Sequence, residues 1–287
     1  MRVAFIGFGE VGYHFARDLT EKGLEIRAYR RRPELAHDRA SETRVRLCPS
    51  LGEALEGAEV VLSCVWPHSA LDAAREAAPL LRADQLYGDL NSTSPATAQR
   101  IYEAVAPSGA GFAKLAIMAG VTDLGGATPM IAGGPAAARL AGLLNGWGMN
   151  VRVMGDDVRV PAAFKIVRAF GLKAILVATY EMVRAARRYG IQEEVLISAG
   201  EMLGWSGYPK RMSDWIASTG VHADRRAHEM AEVVETLAEV QLDPQFAVAT
   251  RRVFEGIAAA GLGEIFGETP PASYREVLDA VEGRRVS

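Results

Sequence analysis

Cysteine is scarce in this sequence: 287 residues contain only Cys48 and Cys64. Two thiols cannot build a disulfide framework, and neither has His or Cys neighbours at metal-ligand spacing. No metal is therefore expected, and no Ser or Cys nucleophile motif occurs. Charge of one sign is also missing, with 32 basic against 35 acidic residues and a net charge of −3. Residues 1–157 carry 16 basic and 18 acidic groups, and residues 158–287 carry 16 and 17. Neither part has the basic footprint of a nucleic-acid partner. No uncharged apolar run reaches about 18 residues, and no basic segment leads into an apolar leader. No membrane partner and a soluble, cytoplasmic protein are the expectations. There is no internal repeat and no low-complexity stretch. His14, His37, His68 and His228 read as surface or packing residues.

What is abundant is apolar side chain, 49%, and glycine, 29 residues, above the usual share of about 7%. Such a composition buries a core large enough to offset ordering entropy. Residues 1–157 alternate short apolar strands with helical segments. Strands are expected at residues 2–6, 24–29, 60–65, 85–89, 112–117 and 129–132, with a first helix over 11–22 closed by Gly23. Such alternation predicts a parallel sheet with helices on both faces. From about residue 158 the pattern is helical. A helix running from Pro161 to Tyr189 would cover about 28 residues, or roughly 42 Å. Its apolar residues surround nearly the whole circumference, so it needs cover on several sides, between domains or in an oligomer. Further helices are expected at 193–203, 222–239 and 244–259, before a polar tail. The fold class is thus α/β: an N-terminal Rossmann doubly wound sheet over 1–157, then an all-α C-terminal domain over 158–287, joined by a long helix.

Gly7-Phe8-Gly9-Glu10-Val11-Gly12 is a GxGxxG between an apolar strand and a helix. In that context the first glycine makes a tight turn, the second admits a pyrophosphate, and the third lets helix and strand pack closely. The helix N-terminus adds free N–H groups and partial positive charge. A dinucleotide is the cofactor this predicts. At the end of the second strand an NAD site wants an acidic residue, about 20 residues beyond the motif. Arg30-Arg31-Arg32 stands there instead, Arg30 being eighteen positions after Gly12. Paired guanidinium donors suit a phosphate, so NADP is favoured over NAD.

Open α/β sheets bind ligands beyond the carboxyl ends of their strands. Two later strand ends stand out. One ends on Val65 and leads into Trp66; the other ends on Asp89 and leads into Leu90-Asn91-Ser92-Thr93-Ser94-Pro95. Val65, Trp66 and Asn91 are candidate cofactor contacts, and Ser92 and Thr93 candidate substrate contacts. Ser94-Pro95 equally reads as a helix start. Lys165 sits among Ala162, Ala163, Phe164, Ile166 and Val167. Desolvation there would lower its pKa toward the range of efficient proton transfer, although a lysine snorkelling from an apolar helix fits the same residues.

The GFGEVG loop, DLNSTSP from Asp89 to Pro95, and a lysine early in a long helix occur in this order and at these distances. Together they resemble the β-hydroxyacid dehydrogenase and 6-phosphogluconate dehydrogenase-like superfamily. The run His222-Ala223-Asp224-Arg225-Arg226-Ala227-His228-Glu229-Met230 resembles a poorly characterised helical C-terminal domain of one branch. The resemblance implies a small-molecule substrate, hydride transfer to or from a nicotinamide, Lys165 as general acid/base, and a homodimer formed through the helical domain. It also implies substrate contacts from Met118, Ala119 and Gly120, where the superfamily often has Ser-Gly-Gly. Arg168 replaces the asparagine usual three residues after the lysine, and a cation there suits an acidic substrate group. His222 shares a helix face with Arg226, and Arg225 with Glu229; the first pair is a candidate for the substrate cleft. The leading expectation is an NADP-dependent oxidoreductase interconverting a small hydroxy compound, a hydroxy acid above all, and its carbonyl. An imine reductase-like enzyme and a non-catalytic NADP-binding sensor are the alternatives.

Overall fold

A computed structural model describes residues 1–32 and 37–283, the side chains of His37 and Asp38 excepted. The surface reading of His37 therefore lies outside the described residues. The chain forms two compact units, Met1–Lys165 and Ile166–Ser287.

The first unit is built on an eight-stranded sheet of order β3-β2-β1-β4-β5-β6-β7-β8. Its strands are β1 (Arg2–Ile6), β2 (Glu25–Tyr29), β3 (Arg46–Leu47), β4 (Val60–Ser63), β5 (Leu86–Asp89), β6 (Gly111–Ile117), β7 (Pro129–Gly133) and β8 (Asn150–Val153). Between them run α1 (Glu10–Glu21), α2 (His37–Thr43), α3 (Leu51–Leu55), α4 (Ala70–Ala77), α5 (Pro95–Val105), α6 (Val121–Leu124) and α7 (Ala137–Gly146). Strands buried on both faces read as continuous apolar runs. Alternate residues divide between two cores: Val3, Phe5, Val60 and Leu62 on one face, with Ala4, Ile6, Val61 and Tyr87 on the other. Chain order reverses between β1 and β4, which makes that junction the switch point where ligands bind in such sheets.

The expectation of a parallel sheet needs one correction, because β7 runs antiparallel to β6. A parallel return needs a crossover of about a dozen residues or more. Residues 118–128 hold only the single-turn α6 and a 3₁₀ turn. The short β3 and β8, unforeseen from sequence, add one strand at each edge.

The second unit is helical. The helix α8 (Arg159–Arg187) begins in the first unit and continues into it, followed by α9 (Gln192–Met202), α10 (Tyr208–Glu239), α11 (Gln245–Ala258), α12 (Leu262–Phe266) and α13 (Tyr274–Gly283). Val183, Met212, Ile216, Met230, Phe254 and Leu278 lie in its core. Two expectations fail here. The helix expected from residue 222 starts at Tyr208 and bends at His222 (φ −112°, ψ 15°). The polar tail is a helix, α13, whose Tyr274, Val277, Leu278 and Val281 are buried. On α8, Leu176, Val177, Tyr180 and Val183 are buried, while Val167, Leu172 and Ile175 stay 50%, 39% and 38% exposed. No helix among the described residues is long and apolar enough to cross a membrane.

Candidate functional site

The loop after β1 follows the mechanics of its glycines. Gly7 has φ +93°, and a Cβ there would lie 2.6 Å from the Cys64 carbonyl oxygen at the end of β4. Its N–H donates to the Tyr29 carbonyl at 2.9 Å. A Cβ on Gly12 would meet the Gly7 carbonyl at 3.0 Å and Cys64 Sγ at 3.2 Å, so β1, β4 and α1 pack backbone to backbone. Gly9 differs: a Cβ would meet nothing within 4 Å. Gly9 caps α1 without any side-chain bond, and the first N–H groups of a helix have no partner within it. Open space before unpartnered donors is what a pyrophosphate requires, so the residues fit a dinucleotide. Phe8 contributes only backbone, since its side chain is buried in the core. Val11 is half-buried and packs on that core. Glu10 is exposed and accepts from Thr122 Oγ1 at 2.9 Å.

At the end of β2, Arg30 is half-buried and donates to the Phe8 carbonyl at 3.1 Å, which ties it to the glycine loop. Arg31 is exposed and pairs with Glu76 on α4. An exposed pair of this kind is weak and exchangeable.

The end of β4 presents Cys64, whose thiol donates to the Gly7 carbonyl at 3.2 Å. Burial pushes that thiol's pKa up to about 12, which makes it a packing group. Trp66 is 71% exposed and stacks on His68, with centroids 6.4 Å apart.

The end of β5 carries the densest polar network. Asp89, 0% exposed, accepts from Lys114 Nζ on β6 at 2.8 Å; Lys114 itself is 1% exposed. Lys114 also donates to the Asn91 carbonyl. The Asn91 amide donates to Asp89 Oδ1 at 2.5 Å and Ser63 Oγ at 3.1 Å, and its Oδ1 accepts from the Val65 N–H at 2.7 Å. Both amide protons of Asn91 are thus committed within the protein, and it holds the β4 end to the β5 end. Thr93 is buried with an unpaired hydroxyl. Ser94 Oγ accepts from the Thr97 N–H at 3.3 Å and caps α5.

Ser92 is exposed, and its Oγ accepts from Lys165 Nζ at 2.5 Å. Lys165 is half-buried and reaches this place because the start of α8 lies against β7. A Cβ on Gly133 would sit 2.6 Å from the Asp157 carbonyl and 2.8 Å from Pro161 Cδ. After β6, Met118 N–H is spent on the Pro129 carbonyl at 2.9 Å. Ala119 and Gly120 are exposed.

The first unit thus gathers the glycine loop, Arg30, Val65, Asn91, Ser92 and Lys165 at the carboxyl ends of its parallel strands. Arg168 and His222 belong to the second unit. Arg168 is exposed on α8. His222 sits at the bend of α10, and its pKa is lowered by burial first and by Arg225 and Arg226 second. Arg226 turns back along the helix, donating to the Trp215 carbonyl at 3.1 Å, to Ser218 Oγ at 3.1 Å and to Thr219 Oγ1. Burial pushes its pKa down to about 10. The pair on a shared face that forms is Arg225 with Glu229, at 3.3 Å. Among the described residues no group of three or more His, Cys, Asp or Glu side chains could hold a metal.

Sequence reasoning missed Lys114, Ser63 and Thr122. For Lys114 a signal existed: a lone cation inside the apolar strand GFAKLAI, beside a neighbouring strand ending in Asp89. A cation in a central strand has to find a partner.

Residues 2–155 match the family described as the NAD binding domain of 6-phosphogluconate dehydrogenase. Residues 186–257 match a domain of unknown function, DUF1932. The conserved protein MTH1747, of unknown function and described as structurally similar to 3-hydroxyacid dehydrogenases, is 31% identical, with 92% of this chain and 97% of that one covered and a TM-score of 0.77. Two further structures share the fold at lower identity. They are Mycobacterium tuberculosis 3-hydroxyisobutyrate dehydrogenase with L-serine (16%; 90% and 94% covered; TM-score 0.76) and an imine reductase from Pseudomonas sp. (19%; 92% and 95%; 0.58).

Proposed function

We propose that this chain, which belongs to the family of the NAD-binding domain of 6-phosphogluconate dehydrogenase, is an NADP-dependent oxidoreductase that interconverts a small hydroxy acid and its carbonyl form. The observation that carries the reading is the 2.5 Å hydrogen bond from Lys165 Nζ to Ser92 Oγ. It fixes an amine at the carboxyl ends of the strands, in the same unit as a glycine loop shaped for a dinucleotide.

The nicotinamide, when bound, supplies or accepts the hydride. The protein's own groups bind, orient and move the proton. Backbone N–H groups at residues 10 and 11 would hold the pyrophosphate, and Arg30 and Arg31 would take the 2′-phosphate. On reduction, the Lys165 ammonium gives a proton from Nζ to the carbonyl oxygen while the carbon gains its hydrogen. On oxidation, the neutral amine takes the hydroxyl proton. Ser92 aims the amine by accepting one of its hydrogens. Arg168 and His222 are the substrate-binding candidates of the helical unit. That unit also joins two chains into a homodimer, a reading supported by the exposed Val167, Leu172 and Met202.

A second reading, reduction of a C=N bond, is favoured by the loop after β6. Met118-Ala119-Gly120 offers no hydroxyl, and the Met118 N–H is already used, which leaves few donors there for a carboxylate.

The test is oxidation of NADPH and NADH in the presence of panels of keto acids, aldehydes and cyclic imines. NADPH turnover with a keto acid is expected, together with a loss on the order of 10²–10⁴-fold in Lys165→Met. Faster turnover with NADH overturns the NADP assignment, imine turnover alone selects the second reading, and NADPH binding without turnover identifies a sensor. Light scattering on the same preparation is expected to give the mass of two chains; a monomer overturns the dimer.

A further inference from the structure

A buried ion pair contributes little net stability, because desolvating both charges offsets their attraction, and apolar residues of similar volume serve a core as well. Lys114 and Asp89, 1% and 0% exposed on adjacent central strands, therefore call for another explanation. Their bonds supply one. Lys114 Nζ reaches beyond Asp89 to the backbone carbonyl of Asn91. Asp89 Oδ1 accepts both the Asn91 N–H, at 3.1 Å, and its side-chain amide, at 2.5 Å. The Asn91 carbonyl and side chain are thus held at every polar atom, and the next residue is Ser92, which bonds Lys165 Nζ. A bonded polar network in a low-dielectric interior is stiff, and this one ends one peptide bond from Ser92, the residue that holds the amine.

We propose that Lys114 is a positioning residue: acting through Asp89 and Asn91, it sets where the Ser92 hydroxyl meets Lys165. The inference rests on reading Lys165 as the proton-transfer group. A displacement of about 1 Å in such a group costs on the order of 10²-fold in rate, so a stiff support at this point has a use that core packing lacks.

Lys114→Met/Asp89→Asn tests this. The pair removes both charges together and keeps an acceptor at residue 89 for Asn91, losing the hold of Lys114 on residue 89 and on the Asn91 carbonyl. Lys165 is labelled with acetic anhydride as a function of pH and read by peptide mass spectrometry, which needs no substrate. NADPH affinity and turnover are measured on the same protein. A cooperative melt and NADPH affinity within a factor of about three are expected, with a shifted labelling midpoint for Lys165 and turnover lower by about tenfold or more. A wild-type midpoint overturns the proposal. Lys114→Gln/Asp89→Asn retains a donor facing Asn91 and is expected to keep the wild-type midpoint. Should the Met pair fail to fold, a shifted midpoint in the Gln pair overturns the proposal instead. If the midpoint shifts in the Met pair while Lys165→Met retains full turnover, the proton-transfer reading fails and the positioning stands.

Discussion

Each unit takes a cation out of water, Lys114 fully and Arg226 in part, and treats it in opposite ways. In the first, Lys114 meets a carboxylate, Asp89, and the pair lies at strand ends beside the proposed chemistry. In the second, Arg226 is held by a carbonyl and two hydroxyls, Trp215, Ser218 and Thr219, and all three lie on its own helix. Those acceptors precede the bend at His222 and Arg226 follows it, so the guanidinium bridges the two segments of the bent helix. One cation orders a turn between strands and the other splints a bent helix. The role of a desolvated charge in this protein follows from what it holds in place.

Removing each cation gives the largest contrast. Lys114→Met alone strands the Asp89 carboxylate and is expected to cost about 3–5 kcal/mol in urea denaturation. Arg226→Met strands no charge and leaves only neutral acceptors short of a donor, with an expected cost of about 1–3 kcal/mol. Equal costs would mean that the two cations are held alike. A smaller effect separates binding from folding in the first unit. Gly9→Ala adds a methyl where nothing lies within 4 Å and costs less than about 1 kcal/mol as a poorer cap. The same change is expected to weaken NADPH binding about tenfold; unchanged affinity in a fluorescence titration would remove the glycine loop from the cofactor site. The smallest effect is a pH dependence in the second unit. The folded-state pKa of His222 lies below its ordinary 6.5, so the unfolded chain binds the proton more readily. Stability is full above about 6.5 and falls as pH drops through the folded value. Melts of His222→Gln against wild type across that range are expected to show a flatter profile in the variant.

Much of the first unit was legible because its signals are local. An apolar run, the GxGxxG and the arginines at residues 30–32 each act through neighbours in the chain, and β1 runs over Arg2–Ile6 as read. Lys165 and Ser92 could be singled out as types in a suitable setting, although they stand 73 positions apart and no spacing rule joins them. The reversed β7, the bend at His222 and α13 were not legible. β7 turns on a connection too short for a parallel crossover, and the bend at His222 interrupts what reads as one helical run. The apolar face of α13 is buried by α10, far away in sequence.

Local sequence signals suffice for the class of the molecule: a glycine-loop α/β unit followed by helices, with balanced charge and a basic turn after β2. Periodicity and turn chemistry are properties of short segments, so they survive without the fold. Which polar groups meet is set by packing. It joined Lys114, Asp89 and Asn91 into one buried network and set Ser92 against Lys165. The strength and consequence of such contacts depend on distance and on exclusion of water, and both exist only once the strands and α8 have packed.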